Sequence, residues 1–196
     1  MNQQQVWNSI APEWYEYKTH PSKEVENFLK NKKGKILDLG SGAGRHLIKT
    51  KGKLYLVDFS EEMIKLAKKK AKKENINAEF SVADATKLPF EDNFFDSAIC
   101  THVLYCIKSS KAREKAIKEL YRIMKLNSEI LISVWDKNSK RFNKNSKEIY
   151  IKWTDKGERF YYLFDEKEIN DLFKKVGFKI IKKIDSKVNI TFIAKK

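Results

Sequence analysis

From residue 35 to residue 135 the chain alternates between short apolar runs and longer stretches with helical spacing. Residues 35–39, 54–59, 78–83, 95–101 and 129–135 are rich in Ile, Leu, Val and Phe, as buried strands are. Between them, residues 43–50, 60–75 and 110–124 read as helices. In the second of these, Met63, Ile64 and Ala67 fall on one face and Ser60 can cap the start. A helix at residues 21–32 precedes the series, with Pro21 in its first turn and Val25, Phe28 and Leu29 on one face. The C-terminal third differs. Residues 136–160 are polar, basic and aromatic and read as an insertion over the sheet. Residues 165–176 form a helix with Asp165 as cap and Gly177 closing it. Residues 178–184 and 188–194 then make two strands about a tight turn, Asp185-Ser186-Lys187. Residues 1–20, polar and aromatic, carry no assigned element.

Strand and helix in alternation imply right-handed crossovers and an α/β, doubly wound, mostly parallel sheet with helices on both faces. The last two strands add an antiparallel hairpin at one edge. A length of 196 residues suits a single domain. It divides into an N-terminal substrate-side extension at 1–32, a core at 34–135, the insertion at 136–164, and the closing helix and hairpin at 165–196.

Composition trims the possibilities. No apolar run reaches the roughly 18–20 residues of a membrane span. The start, Met1-Asn2-Gln3-Gln4-Gln5, lacks the apolar stretch of a signal peptide, so a cytoplasmic protein is expected. Cys100 and Cys106 make neither a disulfide framework nor a metal site, and read as packed thiols; no metal is expected. The formal net charge of +15 favours polyanionic partners such as RNA. Only five of the 41 basic residues are arginine, and lysine enrichment also has causes other than a ligand.

Ligands of open α/β sheets sit beyond the carboxyl ends of the strands. The loop after the first strand is Gly40-Ser41-Gly42-Ala43-Gly44-Arg45. Gly40 permits a sharp turn and Gly42 lets a ligand approach the backbone. A dinucleotide-binding turn, or simply a tight loop, is the competing reading. The dinucleotide pattern needs Gly-x-Gly-x-x-Gly, and here Arg45 holds the last position while the third glycine, Gly44, comes one residue early. Asp38 precedes the turn, where a carboxylate can accept a hydrogen bond from the amino group of a methionine-like ligand. Asp58 ends the second strand, where an acid accepts from ribose hydroxyls. Asp84, followed by Ala85, ends the third, within reach of an adenine amino group. A lone strand-end Asp is usually a cap or turn former. Three in succession after a glycine turn make S-adenosylmethionine the expected cofactor.

This constellation resembles the seven-stranded class I methyltransferases over residues 34–135. Residues 38–44, including Ser41, look like their first motif, Asp58 their ribose acid, and Asp84-Ala85 their adenine contact. Phe94-Phe95-Asp96-Ser97-Ala98 is similar to the start of their fourth strand. The resemblance implies strand order 3-2-1-4-5-7-6 with strand 7 antiparallel.

Two outer regions resemble the eukaryotic and archaeal enzymes that methylate the 5-carboxymethyl group of the tRNA wobble uridine. Residues 8–12 look like their N-terminal Ile-Ala segment. Trp135 matches a tryptophan after strand five, and Trp153 a Val-Pro-Trp element with Lys152 in place of the proline. Residues 159–164 are similar to their Arg-Tyr-Tyr-His-Leu/Val-Phe segment. The family's histidine pair after strand four falls at Tyr105-Cys106 here, and the insertion after Trp135 is shorter. The resemblance implies a tRNA acceptor and a small zinc-ribbon activator protein added to the sheet at the third strand.

Such chemistry needs alignment more than acid–base help. A carboxylate acceptor with an ordinary pKa of about 4 is already ionised at neutral pH, so no general base is expected. A cation must hold the carboxylate, and Arg159 can clamp it. Tyr161, Tyr162 or Trp135 can pack the base, although core packing explains such aromatics equally well. His102, after strand four, can line the pocket or be structural. A small-molecule methyltransferase and a non-catalytic RNA-binding module are the alternatives on the same fold.

Overall fold

The computed structural model describes residues 2–17, 19–142 and 146–196. Met1, Lys18 and residues 143–145 lie outside them, so the part of the basic insertion at 143–145 is not placed.

The chain opens with helix α1 (Gln3–Tyr17). Val6, Ile10 and Ala11 are buried, while Pro12 gives up the one ladder hydrogen bond that its missing N–H would make. Helix α2 (Lys23–Leu29) is capped by Ser22, so Pro21 stands before the helix rather than inside its first turn. Next come β1 (Lys35–Leu39), β2 (Lys53–Asp58), α3 (Glu61–Glu74), β3 (Ala78–Val82), β4 (Phe95–Thr101) and α4 (Ser110–Ile123). A long β5 (Met124–Trp135) follows, then β6 (Glu148–Lys152), β7 (Glu158–Tyr162), α5 (Glu166–Val176), β8 (Lys179–Ile184) and β9 (Asn189–Lys195). The seven-stranded sheet runs β3-β2-β1-β4-β5-β9-β8, with β1 to β5 parallel and β9 antiparallel to β5. That is the expected order, with β8 and β9 as the sixth and seventh strands of the sheet. The separate two-stranded ribbon β6–β7 is what the insertion contains.

Side-chain alternation sorts the core. Ile36, Leu54, Leu56, Ile99 and Leu131 face α2 and α3. Leu37, Leu39, Ala98, Cys100, Ile130 and Ile132 face α4 and α5. Each fully buried Leu or Ile among them contributes about 1.5–3 kcal/mol relative to exposure. Both faces of the central strands are covered, so their residues are mostly apolar with a few small hydroxyls, and the carboxylate of Asp38 at 2% exposure stands out.

Three expectations need correction. No helix forms over residues 43–50: turns run through 42–46, and 47–50 have no regular structure. Gly42 (φ +53°) and Gly44 (φ +81°) adopt left-handed backbone that a right-handed helix excludes. Strand β5 begins at Met124, five residues early, because Met124 pairs with Phe95 across a bulge. The N-terminal stretch, left without an element, is the helix α1. No helix among the described residues is long and apolar enough to cross a membrane.

Candidate functional site

The carboxyl ends of β1 and β2 are drawn together by the glycine turn. The Gly40 and Ser41 N–H groups donate to the Val57 carbonyl at 2.7 and 3.1 Å, folding the loop back onto β2. Gly40 has φ +70°, and a Cβ there would stand 2.0 Å from Val103 Cγ2. The Gly42 N–H donates to Asp58 Oδ2 and the Ser60 N–H to Asp58 Oδ1, both at 2.9 Å. Asp58 is 8% exposed. Burial raises its pKa to about 6, against the lowering effect of the Ser60 and Gly42 hydrogen bonds.

Asp38 lies on the α2 side of the sheet, 3.8 Å from His46 Nδ1, and its Oδ2 has no hydrogen-bond partner. A buried carboxylate oxygen without a donor is costly, and a ligand ammonium would satisfy it. Asp58 retains lone pairs beyond those used by its two backbone donors. Asp84 is exposed after β3, where its Oδ1 accepts from the Thr86 N–H at 2.7 Å and closes a turn; Ala85 is half-buried against the core. Asp38, the glycine turn from Gly40 to Gly44, and Asp58 thus converge, and these donors and acceptors fit a ligand with an ammonium at one end and ribose hydroxyls at the other.

Two cavities bear on the placement. One of about 520 Å³, lined by Lys49, Gly52, Asn75 and Asn77 among others, opens at the amino ends of β1 and β2, the wrong end for a ligand of this fold. Another of about 40 Å³ lies at the carboxyl ends of β4 and β5, between Ser22, Glu24, Thr101, His102, Ser133 and Thr191. His102 sits there with φ +66°, its N–H donating to the Ser133 carbonyl.

On the far side of the turn, β7 presents Arg159 and Tyr161 to one face and Phe160 and Tyr162 to the other. Arg159 is 7% exposed. Its Nη1 donates to the Tyr161 hydroxyl at 2.7 Å and its Nε has no partner. The rings of Trp7, Trp14, Trp153 and Tyr161 surround the guanidinium at 4.7–5.8 Å. Among the described residues no carboxylate pairs with it. Burial raises the Tyr161 pKa far above its ordinary value, so the phenol stays neutral.

Tyr162 does not join Arg159 and Tyr161. Its hydroxyl donates to Glu168 Oε1 at 2.6 Å, and the Arg113 guanidinium covers its ring at 3.7 Å. Lys147 completes that cluster through Asp165 and Glu168. Trp135 packs against Tyr105, Tyr161 and Phe142 at 4.5–4.8 Å, with Arg141 over its ring, so its faces already meet protein.

Sequence reasoning placed residues 1–32 on the substrate side but missed that Gln3–Tyr17 is a helix. Trp7 and Trp14 are seven residues apart, two helical turns, and share a face. That spacing, with Val6, Ile10 and Ala11, was the available signal. Glu13 was missed as well; its carboxylate accepts from Trp153 Nε1 and binds the Lys156 ammonium.

The methyltransferase domain family matches residues 30–177. The chain is 33% identical over 133 residues to the tRNA (carboxymethyluridine(34)-5-O)-methyltransferase of Arabidopsis thaliana, covering 66% of this chain and 31% of that protein. It is 28% identical over 111 residues to the ubiquinone/menaquinone biosynthesis C-methyltransferase UbiE of Vibrio cholerae, covering 53% and 42%. The chain thus spans about a third to two fifths of the length of these curated relatives. Among solved structures, a chain of the complex between the Haloferax volcanii Trm112 methyltransferase activator and a methyltransferase superposes with a TM-score of 0.75 at 15% identity, covering 100% of this chain and 98% of that one. The cofactor of this methyltransferase domain is S-adenosylmethionine.

Proposed function

The chain belongs to the methyltransferase domain family, and from that premise we propose that it methylates the carboxylate of 5-carboxymethyluridine at the wobble position of tRNA. The carrying observation is Arg159. A guanidinium enclosed by four aromatic rings, with no carboxylate pairing with it among the described residues, is a buried charge whose missing counter-ion an acceptor carboxylate supplies.

When bound, the cofactor presents an electrophilic methyl group on a positively charged sulfur. Asp38 holds the ammonium of its methionine end, Asp58 the ribose hydroxyls, and Asp84 with Ala85 the adenine edge. Gly40, Ser41, Gly42 and Gly44 bring backbone close to it. Arg159 fixes the acceptor carboxylate, and the Tyr161 hydroxyl holds the Arg159 fork in place. The tryptophans around Arg159 keep water from it. An acceptor oxygen that is already anionic leaves no proton to remove, so the residues need only align the two reactants.

A tRNA acceptor accords with the +15 charge and with a cytoplasmic, RNA-binding protein. For a partner we propose a small zinc-ribbon activator added along β3, which pairs only with β2 and leaves Val82 45% exposed. Co-purification with a candidate activator tests this, and separate elution of the two counts against it.

The decisive experiment incubates the protein, with and without activator, with methyl-labelled S-adenosylmethionine and tRNA carrying carboxymethyluridine. Base-labile label in the tRNA supports a methyl ester. Label only in small molecules favours the second reading, a small-molecule methyltransferase, for which the likeness to the Vibrio cholerae C-methyltransferase speaks.

A further inference from the structure

Helix α1 touches both halves of the site directly. Towards the cofactor turn, the Ser60 hydroxyl donates to Asn8 Oδ1 at 2.6 Å and Gln4 Nε2 donates to the Phe59 carbonyl at 2.7 Å. Ser60 is also the residue whose N–H holds Asp58. The Trp14 indole nitrogen lies 3.7 Å from where a Gly42 Cβ would stand.

Towards the ribbon, Gln3 Nε2 donates to the Glu158 carbonyl at 3.0 Å, and the Phe160 N–H donates back to Gln3 Oε1 at 2.9 Å. The Ser9 hydroxyl reaches the Lys156 carbonyl at 3.3 Å, and Glu13 binds Trp153 and Lys156. Val6 packs at Gly157, where a Cβ would stand 3.1 Å from it. Two of the four rings around Arg159, Trp7 and Trp14, belong to this same helix.

We propose that α1 couples the two halves of the site, with Asn8 and Gln4 as positioning residues on the cofactor side and Glu13 on the ribbon side. A ligand on Asp58 and Gly42 settles the 58–60 turn. Through Asn8 and Gln4 the turn settles α1, and α1 carries Trp7 and Trp14 onto Arg159. Cofactor binding thereby steadies the enclosure for the acceptor, and the linkage is reciprocal. The coupling rests on the family assignment for its cofactor and on the preceding reading for its acceptor, but its test uses no acceptor.

Hydrogen–deuterium exchange of the full chain, with and without saturating S-adenosylhomocysteine, reads it at amides 153–160, none of which belongs to the cofactor turn. The Phe160 amide, bonded to Gln3, is the most direct reporter. Ligand is expected to slow exchange there by about fivefold or more. In the double variant Asn8→Ala with Gln4→Ala, ligand still protects the 40–44 turn while the slowing at 153–160 falls below about twofold. Glu13→Gln, altered on the opposite side of the helix, gives the same loss. A ribbon unresponsive in the native chain overturns the proposal. So does a double variant that transmits the full slowing, or one that speeds exchange equally with and without ligand, as a merely structural role predicts. Intact coupling with no label transferred to tRNA sinks the acceptor and leaves the coupling standing.

Discussion

The glycine turn and the Arg159 enclosure both bury charge, and they do so by opposite means. At the turn the Asp58 charge is negative, and backbone carries it: Asp58 accepts N–H groups from Gly42 and Ser60. In the enclosure the charge is positive, and side chains carry it: three indoles and one phenol surround Arg159. Backbone donors come with the turn itself and hold their place once it forms. Rings gathered from α1, the β6–β7 turn and β7 meet only when the whole chain is folded. The turn is therefore a local device. The enclosure is a tertiary one, in which cation–ring contacts offset part of the cost of burying the guanidinium.

Substitutions can break that contrast. The largest effect is expected from Asp58→Ala, which removes the acceptor of ribose hydroxyls and the partner of two backbone donors. S-adenosylhomocysteine affinity, measured by calorimetry, should fall about 10- to 150-fold, the scale of hydrogen bonds to a charged group. Arg159→Met should lower transfer to carboxymethyluridine tRNA by a similar or somewhat smaller factor while leaving cofactor affinity within about threefold. Because the arginine has no acidic partner, this variant should melt at or above the native temperature. A large loss of melting temperature would mean that the guanidinium is structural.

A smaller effect separates the two regions by pH. The Asp58 pKa near 6 is raised by burial, so in the ligand-free protein the carboxylate is ionised above that value and protonated below it. Ribose hydroxyls need the ionised form. Cofactor affinity should be flat above pH 6 and fall as pH drops through 6, approaching about tenfold per unit at the low end. In Asp58→Asn this dependence should vanish. The smallest effect is expected from Tyr162→Phe, which deletes the bond to Glu168 in a half-buried cluster. It should cost about 1 kcal/mol of stability by urea titration and leave transfer unchanged, whereas Tyr161→Phe, on the face of Arg159, should lower transfer.

The same contrast explains what the sequence disclosed. Asp38, the glycine turn and Asp58 are each adjacent to a strand end, and the strands announce themselves by continuous apolar runs. Their placement at strand ends follows from short-range spacing, whereas the sheet order comes from the family resemblance. The enclosure depends on pairing 148–152 with 158–162 and on laying α1 across both, and neither contact has a local signature. Residues 160–164 read as strand-like, and within β7 the strand period parts Tyr161 from Tyr162, a division that offering both as packing for the base overlooks. The false helix at 43–50 shows the converse failure. Most of its residues suit a helix, but Gly44, and Gly42 just before it, are held in left-handed backbone that no count of apolar positions reports.

The slot beside Gly40 has a further consequence. Val103 projects a methyl group into the space that any side chain at position 40 would need. The first turn of the sheet and the loop after β4 are thus lock and key within one molecule, and neither can drift alone. Over evolutionary time a bulkier residue at 103 is tolerable only while 40 stays glycine. An engineer who reshapes the loop after β4 to admit a new methyl acceptor inherits that constraint, and has to redesign the two positions as one.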